Sequence, residues 1–104
     1  MKILNELVME NITGDEPTTV KGKLERYHLH NMASEVFAAL GQQANSDMHS
    51  RKASDYHAEA HAQHRNAPEE RGYWVDPDAA TADFTYHKKK AKQNVHQKIT
   101  DRLL

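Results

Sequence analysis

From Thr18 to Asn66 the chain runs 49 residues without a proline, and Gly22 and Gly41 are its only glycines there. Taking Leu29 as the reference and stepping 100° per residue, Met32, Ala33, Val36, Phe37, Leu40 and Ala44 fall on one side, with Met48 at the edge. That period predicts an amphipathic helix. Val20 and Leu24 open the stripe. Beyond Met48 the large apolar residues thin out to Tyr56, among Ala53, Ala58, Ala60 and Ala62. Alanine favours helix but buries little surface, so the second half reads as a good helix with a poor core.

Two shorter patterns flank this stretch. Ile3, Leu4, Leu7, Val8 and Ile12 share one helical face, and Gly14 is placed to end that helix. At the other end, Ala80, Phe84, His87, Ala91, Val95, Ile99 and Leu103 recur at steps of three or four. Asp76 as N-cap, Pro77 at the first helical position and the Val75/Ala80 staple mark where that helix begins. The expected fold is therefore all-α and single-domain over residues 1–104, with helices near 2–12, 18–66 and 77–104, the last antiparallel to the central one. An unbroken 49-residue helix would be about 73 Å long, far beyond the ~13 Å radius of gyration of a compact chain this size. The pattern favours one long helix all the same, and Asn45-Ser46-Asp47 is where a kink or break is expected.

Composition thins the expected core. Alanine supplies 13 of the 39 hydrophobic residues, while Leu, Ile, Val and Phe total 17 of 104, a level bordering on disordered composition. Helical periodicity and a net charge of −1 argue against disorder, so a partner or a second copy is expected to complete the core. The absence of cysteine removes disulfides and thiolate zinc sites. The charge is blocked: residues 67–84 sum to −4 and residues 85–104 to +5, which allows pairing within the chain or between chains. No apolar run approaches the ~18 residues of a membrane span. Asn5, Glu6 and Glu10 interrupt the first helix where a signal peptide would be apolar. A location in the cytoplasm or within a macromolecular assembly is expected.

These traits point to a non-enzymatic interaction module, a structural, assembly or accessory protein working in a homo-oligomer or larger complex. Small assembly proteins, bacteriophage ones included, share the profile. Met32, Val36, Phe37 and Leu40 are the expected contact residues. Trp74, in the Tyr73-Trp74-Val75 cluster after Pro68 and Gly72, is a candidate anchor. No serine–histidine–aspartate order or glycine-rich phosphate loop is present, and the chain is too thin to enclose a substrate. No cofactor is expected.

Two alternatives carry chemistry. Tyr86, Lys88, Lys89, Lys90 and Lys92 could contact a nucleic acid through phosphates and one stacking ring, although a solvated basic face has the same composition. Eight histidines are many for this length. His57, His61 and His64 lie within about 60° on one helical face and could hold zinc, copper or nickel with a further ligand such as His87 or His96. A plain polar histidine face is the competing and favoured reading. Glu25 and His28 have the Glu-x-x-His spacing of di-iron bundles but no second copy of it. Tyr-His also recurs at Tyr27, Tyr56 and Tyr86, without matching flanks.

Overall fold

A computed structural model describes residues 2–12, 16–66 and 77–103, the side chains of 2–4 and 77–80 excepted. Four helices make up nearly all of this: α1 (Lys2–Ile12), α2 (Val20–Ala39), α3 (Gln43–Asn66) and α4 (Pro77–Leu103). Among the described residues there is no strand, and no helix is long and apolar enough to cross a membrane. The molecule measures 45 × 31 × 24 Å.

The central stretch is two helices, not one, and the break lies at Leu40-Gly41-Gln42, a few residues ahead of the expected Asn45-Ser46-Asp47. Gly41 is the cause. Its φ is +76°, a left-handed conformation that glycine enters at no steric cost. The Gly41 amide donates to the Ala38 carbonyl at 3.1 Å and that of Gln42 to Phe37 at 2.8 Å, the paired bonds of a Schellman C-cap. Asn45, Ser46 and Asp47 instead lie inside α3 close to its start, where the Ser46 amide donates to the Gln42 carbonyl. At the other end of α2, Thr19 is the N-cap and its Oγ1 accepts from the Gly22 amide at 2.9 Å. Pro17 packs against that turn so closely that a Cβ on Gly22 would sit 2.9 Å from the Pro17 Cβ.

α2 is the hub. α3 folds back along it as an antiparallel hairpin, with Ser46 against Ser34 and Gln63 against Thr18, and α1 and α4 pack on it as well. Two apolar clusters join the helices. Phe84 and Ala91 share a cluster with Val20, Leu24 and Ala60, while Val95 and Ile99 join Leu29, Ala33, Leu7 and Val8. The last helix packs chiefly on the first half of the central stretch rather than along the second. Its basic end pairs within the chain, through Lys98–Glu25 at 3.1 Å and Arg102–Glu10 at 2.7 Å. The Asp76 cap, the Val75 staple position and the Gly14 stop lie outside the described residues.

Candidate functional site

The α2–α3 hairpin is lined by a stripe that carries no large aliphatic side chain. Ser46, His49, Ala53, Ala60 and His64 are the buried residues of α3, at the steps of three, four and seven that a packed helix requires. Across from them, Ser34 Oγ lies 2.9 Å from the Ser46 carbonyl oxygen and 3.0 Å from its Oγ. His30 and His49 are both buried and meet Nδ1 to Nδ1 at 2.9 Å. One ring therefore donates and the other accepts. His30 also stacks on Tyr56 (5.5 Å, 12°), and His49 on Phe37 (5.3 Å, 6°). One turn further, the Tyr27 ring leans on His57 at 4.9 Å, so two of the Tyr-His pairs face each other across the hairpin.

Burial sets the proton affinities of this seam. His30 is lowered from 6.5 to about 4, chiefly by desolvation, then by the neighbouring His49, Lys52 and Arg26, with Glu16 opposing. His49 is lowered by burial and by Lys52. His28 and His57 move the same way, burial being the largest cause in each. The Tyr56 hydroxyl donates to Glu16 at 2.6 Å, and burial with that bond pushes its pKa up to about 12. A cleft of about 330 Å³ opens beside His30 and Tyr56. Arg26 and Lys52 face Glu16, Asp55 and Glu59 around it, a rim of offsetting charges.

The expected contact residues divide. Val36 is buried in the protein's own interior, Met32 packs against the aliphatic cluster, and Phe37 is half-buried on His49. Leu40 stays 46% exposed. Trp74 lies outside the described residues. In the basic segment Tyr86 is 61% exposed and Lys89, Lys90 and Lys92 face solvent. Lys88 turns inward, with its Nζ 3.5 Å from His57 Nε2.

His57, His61 and His64 surround the Phe84 ring, with centroids 5.5, 5.1 and 5.3 Å from it, and do not converge on a common point. His64 turns instead to α4, where its Nε2 lies 2.7 Å from Asp83 Oδ2. His87 Nε2 approaches the same oxygen at 3.5 Å. His87 is one of the two further ligands that the metal alternative to a plain histidine face allows, and Asp83 is not among them; its i,i+4 spacing to His87 was the available signal. His96 is exposed on α4, beside a hollow it lines with His28 and Met32. No family model matches this chain, and no curated protein or solved structure gives a match to it.

Proposed function

We propose that this protein works by association, as a structural, assembly or accessory module that packs its helices against a second copy or another protein. The observation supporting this reading is where the exposed apolar side chains lie. Leu40 (46%), Met48 (40%), Leu103 (54%) and Tyr86 are the exposed large hydrophobics among the described residues. Leu40 and Met48 belong to one end of the bundle, at the α2–α3 turn. The Ser34–Ser46 contact brings Met48 to the same end. Single apolar residues on a surface need no explanation, but several gathered together do. Burying each is worth roughly 1.5–3 kcal/mol, enough for a few to decide association.

Sedimentation velocity over a wide concentration range tests the self-association form. The wild type should associate as concentration rises, and Leu40→Lys with Met48→Lys should return it to monomer with helicity intact. A monomer at every concentration removes self-association and leaves a different partner chain. Exposure of Tyr86 beside Lys89 and Lys90 favours a second reading, contact with single-stranded nucleic acid. That reading demands an affinity falling steeply with salt and lost when Lys89, Lys90 and Lys92 become glutamine.

A further inference from the structure

The opposite end of the bundle carries a feature that association leaves unused. His64 comes from the end of α3, and Asp83 and His87 come from successive turns of α4. Both imidazoles direct Nε2 at Asp83 Oδ2, and the three donor atoms lie within 4.8 Å of one another. We propose that His64, Asp83 and His87 bind one divalent first-row transition-metal ion such as zinc, cobalt or iron(II).

The donor set suits that class, because imidazole selects zinc, iron, nickel and copper over magnesium and calcium, and two histidines with one carboxylate leave coordination positions open. Around an ion with bonds of about 2.0–2.2 Å, neighbouring donors stand roughly 3.0–3.4 Å apart. The His87–Asp83 separation of 3.5 Å is already close to that. The His64–Asp83 contact must open from 2.7 Å by about half an ångström and the two imidazoles must close from within 4.8 Å, adjustments open to Asp83 and His87, whose side chains are 29% and 34% exposed. His64 supplies the fixed point. It is 1% exposed, with its ring set against Phe84 and, at 5.9 Å, against His87. The partial exposure of Asp83 and His87 gives an ion and its remaining waters a way in. α3 and α4 otherwise touch sparingly, so a shared ion would clip together the most loosely joined long helices.

The test uses untagged full-length protein stripped with chelator, then titrated with Co²⁺ by absorbance and Zn²⁺ by calorimetry. One equivalent of Co²⁺ should develop ligand-field bands that Zn²⁺ abolishes, and Zn²⁺ should raise Tm as any ligand specific to the folded state does. Asp83→Asn and His87→Ala should each weaken binding at least about tenfold. The His57→Ala/His61→Ala double variant should bind like the wild type. Asp83→Asn keeps an acceptor for His64, so its helicity should be unchanged and its loss of binding cannot be ascribed to unfolding. The proposal is overturned if no 1:1 complex forms, if Asp83→Asn and His87→Ala bind as tightly as wild type, or if affinity follows His57 and His61 instead. In any of those cases His64–Asp83 is a structural hydrogen bond between helices. None of these outcomes depends on the oligomeric state.

Discussion

Toward α1 and α4, α2 presents Leu29 and Ala33 to Leu7, Val8, Val95 and Ile99. Toward α3 it presents His30, Ser34 and Phe37 to His49, Ser46 and Tyr56. The first side holds by removing apolar surface from water, which is non-directional and indifferent to pH. The second holds by ring stacking and by hydrogen bonds whose donors and acceptors must match in a dry setting, where an unmatched group is costly. One helix therefore joins its neighbours through two kinds of contact with different sensitivities.

Breaking the apolar side should have the largest effect. Leu24 is fully buried between Val20, Ala60, Phe84 and Ala91, and Leu24→Ala should cost about 2–5 kcal/mol in urea unfolding at any pH. A loss below ~1 kcal/mol would mean that this cluster is not the core.

Acid should single out the other side. With His30 at about 4 in the fold against 6.5 in the open chain, the unfolded state takes up the proton first as pH drops. Stability is then complete above pH 6.5, falls between 6.5 and 4, and levels off below. Charges of Lys52 and Arg26 reinforce the effect and Glu16 opposes it. The fall from His30 alone should be on the order of 3 kcal/mol, with His49 shifting in the same direction. Urea midpoints at pH 7.5, 5.5 and 4 measure it. The His30→Leu/His49→Leu variant should show a shallower acid limb while Leu24→Ala keeps the full slope.

Gly41→Ala should cost less, about 1–2 kcal/mol, from forcing a side chain into the left-handed region. Nothing lies within 4 Å of the added Cβ, so Gly41→Asn, which tolerates that region better, should recover part of the loss. Equal thermal stability for both variants and the wild type would show that the turn does not depend on the glycine.

The same contrast explains what the sequence disclosed. Leu29, Ala33, Val95 and Ile99 recur at helical spacing and announced two amphipathic helices correctly. The α3 stripe has the same spacing, but Ser46, His49, Ala53 and His64 are polar or small, and hydrophobic periodicity does not register them. Val36 and Phe37 were expected to await a partner because no apolar counterpart was visible. In the fold Val36 is buried and Phe37 rests on His49, an imidazole serving as that counterpart. The hairpin was legible in one residue, Gly41, whose αL cap outweighed the polar triplet Asn45-Ser46-Asp47. The His64–Asp83–His87 cluster was half legible, since the i,i+4 pair lies within one helix but its meeting with His64 is set by tertiary packing.

The central claim is that neutral, buried imidazoles fasten α3 to α2. Long-range ¹H–¹⁵N correlation spectra of the histidine rings, recorded from pH 8 down to pH 3.5, test it most directly. His30 and His49 should both be neutral at pH 7, one with its proton on Nδ1 and the other with Nδ1 bare, and His30 should stay unprotonated until near pH 4. Two rings that titrate together at about pH 6.5, each averaging its tautomers, would place both histidines in water and contradict the account.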